Sequence, residues 1–177
     1  ISKAETLASL RQAARGGVDF LALNIINAHI EGFTPLEALV VETMINILSQ
    51  AKGRVIITCF SSNLERIHRI KDVARLFGKE VYFCGAGMEN ARDLLGVETE
   101  CGQGEDSNSV IFVTGCQAEE RSVLWRIAKS HNPLLELKPE DTLVFSSRCI
   151  PGNEIPLRNL ITELRPRVGR LIVNSGD

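Results

Sequence analysis

Short apolar runs alternate along this chain with longer segments whose apolar residues recur three and four positions apart, and that alternation constrains the fold more than any other feature. The runs Val18 to Leu23, Arg54 to Phe60, Glu80 to Cys84, Ser109 to Thr114, Thr142 to Phe145 and Arg170 to Val173 predict strands. Between them, helices are predicted from Thr34 to about Gln50, Asn63 to Phe77, Met88 to Leu95, Glu119 to Ser130 and Ile155 to Leu164. A further helix over Ser2 to Ala14 precedes the first strand and stops at Gly16-Gly17. Strands that are apolar throughout are buried on both faces, and helical crossovers between them make neighbours parallel. The expectation is an α/β fold: a mainly parallel, Rossmann-like sheet with helices on both faces. Thr34-Pro35-Leu36-Glu37 reads as a capping box with proline at the first helical position. Residues Val97 to Asn108 carry no period and read as an exposed loop.

Length and charge then narrow the function classes. The 177 residues amount to about one domain, and 1–177 is expected to be a single one, cut from a longer protein because the chain begins at Ile1. A formal net charge of −2 argues against a freely sliding, strongly basic nucleic-acid binder, while leaving room for a local phosphate site. The five cysteines are scattered and never spaced Cys-x-x-Cys, so they read as small buried hydrophobes in a reducing compartment. No apolar run approaches the length of a membrane span, and no signal-peptide pattern is present, so a cytoplasmic protein without membrane contact is expected. His29, His68 and His131 lie far apart, and no His-x-His or His-x-x-x-His pair is present, so no metal is expected to be held by this chain. Nucleophile-elbow, phosphate-loop and dinucleotide fingerprints are also missing.

Chemistry in such sheets collects at the carboxyl ends of the strands. Three loops there are informative. Ser61-Ser62-Asn63 follows the second predicted strand and opens a helix; it serves either as a plain cap or as an anion-binding helix terminus. Gly115-Cys116-Gln117-Ala118-Glu119-Glu120 follows the fourth, and is either a tight turn or a surface for close backbone approach, with Gln117 able to hydrogen-bond a polar partner. Ser146-Ser147-Arg148-Cys149-Ile150-Pro151-Gly152-Asn153-Glu154 follows the fifth. Its Pro-Gly makes a turn and Asn153 can cap the next helix, but turn-making does not require two serines.

Taken in order, GFTPLE (32–37), FSSNLERI (60–67), TGCQAEE (114–120) and SSRCIPGNE (146–154) resemble the motifs of the β-CASP domain of ribonuclease J-like metallo-β-lactamase nucleases. The family patterns are Gly-Phe-Thr-Pro-Ser-Glu, Phe-Ala-Ser-Asn, Thr-Gly-Ser-Gln-Gly-Glu-Pro and Ser-Ser-x-Pro-Ile-Pro-Gly-Asn-Glu; GAGMENA (85–91) is similar to a Gly-Arg-Ser-Met segment. The resemblance spans nearly the whole chain and implies a domain that lines an RNA cleft. Its partners would be RNA and the metallo-β-lactamase domain of the same polypeptide, in a parent that can be a homo-oligomer. Two zinc ions, or manganese, would sit in that other domain and activate water for phosphodiester hydrolysis. On this resemblance Ser61, Ser62, Asn63, Gln117, Ser146, Ser147 and Asn153 are expected at RNA phosphates or the cleft wall, and Glu37 and Glu154 at loops and caps. The chain also departs from the pattern. Asn24 stands where the family carries an acidic residue that would support a catalytic histidine. Cys116, Ala118 and Glu120 replace a serine, a glycine and a proline. Two readings follow: the RNA-clamping portion of a metal-dependent ribonuclease of RNA processing or decay, inactive in isolation, or a catalytically degenerate RNA-binding or scaffold subunit.

Overall fold

A computed structural model describes residues 3–22, 31, 37–98, 107–129 and 135–174 of the chain. Two units separate between Pro35 and Leu36.

In Ile1–Pro35, helix α1 (Lys3–Ala13) runs into a 3-10 turn, Ala14–Gly16, and Gly17 ends it with φ 92°. The strand predicted over Val18 to Leu23 is not formed in its described part. Residues 18–22 make no ladder, and Phe20 and Leu21 are 85 % and 68 % exposed, so the apolar run lacks the paired neighbour a strand requires. The predicted capping box at Thr34 and the Asn24 position lie outside the described residues.

In Leu36–Asp177 the elements are α2 (Glu37–Gln50), β1 (Val55–Thr58), α3 (Leu64–Leu76), β2 (Glu80–Cys84), α4 (Ala86–Leu94), β3 (Ser109–Val113), α5 (Val123–Ala128), β4 (Thr142–Phe145), α6 (Glu154–Leu164) and β5 (Arg170–Val173). The five strands form one all-parallel sheet in the order β2-β3-β1-β4-β5. Each strand feeds residues alternately to two apolar layers, as the pleat requires. Val55 and Ile57 join Met44 and Ile47 of α2, Ile67 and Ile70 of α3 and Met88 of α4. Ile56, Ile111 and Leu143 meet Leu124 and Ile127 of α5 and Leu157 and Leu160 of α6 on the opposite face. Phe83 and Phe112 stack in the first layer with centroids 5.2 Å apart.

At the amino ends of the strands, Arg54 and Asp141 form a fully buried, two-pronged ion pair, with nitrogen–oxygen distances of 2.9 and 2.6 Å. Arg54 also donates to the Glu136 carbonyl oxygen, and Asp141 accepts from the Lys138 amide. The turn that ends at Asp141 is crowded from both sides. A Cβ on Gly53 would lie 2.4 Å from the Glu140 carbonyl oxygen, and one on Gly169 would lie 2.3 Å from that of Pro139. Glycine is therefore required at the residues that lead into β1 and β5, the two neighbours of β4.

Helix α5 is shorter than its sequence pattern. The helix predicted from Glu119 begins at Val123, because Ala118 and Arg121 are left-handed, with φ of 59° and 65°. A left-handed residue cannot propagate an α-helix. Ser122 takes over as the cap and accepts from the Trp125 amide at 3.3 Å. At the other end the Arg167 guanidinium donates to the carbonyl oxygens of Ile127 and Ala128.

Candidate nucleic-acid interface

The sheet order creates a crevice at β1. The chain leaves β1 toward the α3 face, whereas it leaves β3 and β4, the strands on either side of β1, toward the α5 and α6 face. Loops diverging to opposite faces open a topological switch point, the place where such sheets bind ligands. All three loops singled out in the sequence meet there.

The β1 loop is built as a helix terminus. Asn63 caps α3, its side-chain oxygen accepting from the Arg66 amide at 3.1 Å. The amides of the first helical turn have no intrahelical acceptors, and their partial positive charge favours an anion. Ser61 is half-buried and Ser62 exposed beside this terminus. The start of α4 comes close to Ser61: a Cβ on Gly87 would sit 3.1 Å from the Ser61 hydroxyl oxygen, so a small residue there keeps the approach open.

Arg66, which the sequence reading left out, ties the crevice together. Its guanidinium grips both carboxylate oxygens of Glu37 on α2 and donates to the Ser146 carbonyl oxygen in the β4 loop. The hydrogen bond from Arg66 holds the Glu37 carboxyl below its usual range, and Glu37 in turn raises the guanidinium. Because this charge is already compensated, anion affinity at α3 rests on backbone amides and serine hydroxyls.

Gln117 is 5 % exposed, and both ends of its side-chain amide are engaged: its nitrogen donates to the Arg148 carbonyl oxygen and its oxygen accepts from the Ile150 amide, each at 2.8 Å. It therefore fastens the β3 loop to the β4 loop and shapes the crevice from beneath. Glu119 folds back to accept from the Gln117 amide at 3.0 Å. Ser146 and Ser147 are buried. The Ser146 amide extends the ladder by donating to the Thr58 carbonyl oxygen, while the buried Ser147 hydroxyl faces the Cys116 thiol and has no other partner among the described residues. Burial pushes the Cys59 thiol up to about 12 and the Cys116 thiol up to about 11, so both are inert, uncharged filling at neutral pH.

Asn153 heads α6 but makes no side-chain capping bond, contrary to the sequence expectation. Its backbone has φ −100° and ψ 6°, outside the extended geometry of a capping residue. Glu154 pins the turn, accepting from the Gly152 amide at 2.8 Å. Asn153 is thereby left on the wall of a groove between α5 and α6.

The described residues do not fit a two-metal centre: among them no three His, Cys, Asp or Glu side chains gather, and His68 pairs with Asp72 on the exposed face of α3. No helix among the described residues is long and apolar enough to cross a membrane.

Comparison with known proteins gives a consistent result. Residues 52–164 match the family described as "Ribonuclease J, beta-CASP domain". The chain is 36 % identical to ribonuclease J of Sinorhizobium meliloti over 93 % of its own length and 31 % of the relative's. It is 33 % identical to ribonuclease J of Mycobacterium tuberculosis, with 90 % and 31 % covered, and 31 % identical to that of Thermus thermophilus, with 92 % and 30 % covered. It thus spans about a third of the length of the curated relatives it matches.

Proposed function

This chain belongs to the ribonuclease J β-CASP family, and from that premise we propose that it is the RNA-holding portion of a longer, metal-dependent ribonuclease that hydrolyses phosphodiesters during RNA processing or decay in the cytoplasm. The observation that carries this reading is the convergence at β1. A capped helix terminus with two serines faces loops that Gln117 and Arg66 lock together, which suits a phosphate entering between them. The α3 amides, Ser61 and Ser62 hold a phosphate; Gln117 and Asn63 act as positioning residues, the buried Ser146 and Ser147 support the crevice from behind, and Asn153 lies outside it on the α5–α6 groove. Two zinc or manganese ions, bound elsewhere in the parent, would supply the activated water. By itself this chain holds RNA and does not cut it.

A second reading, a degenerate RNA-binding scaffold, is favoured by Asn24 in place of an acid and by Ala118 in a backbone conformation suited to the glycine of the family pattern.

Cleavage by the full-length parent with zinc or manganese separates the two, using 5′-monophosphorylated and 5′-hydroxyl RNA. The ribonuclease reading expects cleavage, a rate gain in Asn24→Asp, and about tenfold weaker binding of 5′-phosphorylated RNA after Ser61→Ala with Ser62→Ala, the loss of a charge-assisted contact. Retained RNA binding with no cleavage by either protein selects the scaffold. Serine variants that bind as tightly as the parent remove the phosphate site.

A further inference from the structure

On the α5 and α6 face, the β3 loop and the two helices enclose an open groove of about 390 Å³. Its apolar lining is Trp125 with Leu160, Pro156, Ala118 and Ala128, and its polar rim is lopsided. Among the described residues, Glu119, Glu120 and Glu163 line it against one cation, Lys129: three carboxylates to one ammonium, a net charge of −2. Lys129 is moreover committed to Glu163 at 3.2 Å across the two helices. Arg121 and Arg126 lie close in sequence but do not line the groove.

We propose that this groove docks an arginine-bearing polypeptide segment. An indole face attracts a cation through its ring quadrupole, and a flat guanidinium gains most because it stacks and still reaches carboxylates with its edge. Glu120, exposed on the rim, supplies a charge partner, and the neutral amides of Asn153 and Asn159 match the donors and acceptors of a peptide backbone. RNA is disfavoured on the same grounds, since its phosphates would face a net negative rim. Ser61, Ser62 and the terminus of α3 do not line this groove, so although Gln117 borders both, the docking of a peptide here is tested apart from the RNA reading.

Trp125 is the only tryptophan in the chain, so its fluorescence reports occupancy directly. The protein is titrated with an end-blocked Gly-Arg-Gly-Arg-Gly peptide, with the same peptide carrying citrulline for arginine, and with a 5′-phosphorylated RNA oligonucleotide. The arginine peptide should change the emission saturably and bind about tenfold tighter than its neutral citrulline twin. Glu120→Gln should weaken it severalfold without altering the far-ultraviolet dichroism, and RNA should not displace it. Equal affinity for the two peptides, no saturable change, an unaffected Glu120→Gln variant, or displacement by RNA would each overturn the proposal.

Discussion

At the scale of single residues, Ala118 is the most informative departure. Its φ of 59° places an L side chain in the left-handed region, which costs about 1–2 kcal/mol relative to ordinary backbone. Glycine removes that strain but adds roughly 0.5–1 kcal/mol of unfolded-state entropy and forfeits a partly buried methyl. Ala118→Gly is therefore expected to stabilise by up to about 1 kcal/mol, read as a higher urea midpoint at unchanged slope. A lowered midpoint would mean that the methyl contact outweighs the strain. Residue roles were only partly legible in the sequence. Asn63 announced its cap through its place before an amphipathic segment, and Glu154 its loop through the preceding Pro-Gly. Gln117 could not announce its clamp, because its partners Arg148 and Ile150 lie 31 and 33 residues away and are backbone groups with no chemical signature. Arg66 was hidden for the same reason: its carboxylate is 29 positions upstream.

At the scale of elements, the Glu37–Arg66 pair joins α2 to α3 and, through the Ser146 carbonyl oxygen, to the loop after β4. The Glu37 carboxyl is lowered when folded, so its contribution is fully present above its unfolded value of roughly 4.3 and disappears as the pH falls through the lower folded value. Unfolding free energies measured between about pH 2 and pH 7 should decline toward acid, with Glu37→Gln showing a shallower decline. Parallel curves for the two proteins would show that the pair carries no such linkage. The strands of the sheet were legible because each is an uninterrupted apolar run between helices. Two elements were not. Residues 18–22 have a strand's composition, yet a strand exists only through a partner. Residues 119–122 have helix-forming side chains, but left-handed Arg121 among them, after left-handed Ala118, delays the helix until Val123, with Ser122 as its cap.

At the scale of the Leu36–Asp177 unit, the two ends of the sheet differ in kind. The amino ends are closed by the Arg54–Asp141 pair and by Gly53 and Gly169, packed on either side of the turn before β4. Removing one partner strands a charge in the interior, so Asp141→Asn should destabilise by about 3–5 kcal/mol, measured by urea unfolding. A loss below about 1 kcal/mol would mean that the pair is no better than a surface bridge. The sequence showed the charged residues but not their embrace, since 87 positions separate them.

That closed end bears on how such a domain can change over generations. With strand register secured far from the crevice, substitutions in the loops at the opposite end act on recognition while leaving the sheet intact. Cys116, Ala118 and Glu120 all fall in one such loop, where the lineage can drift toward new ligands, or lose old ones, without first losing its fold.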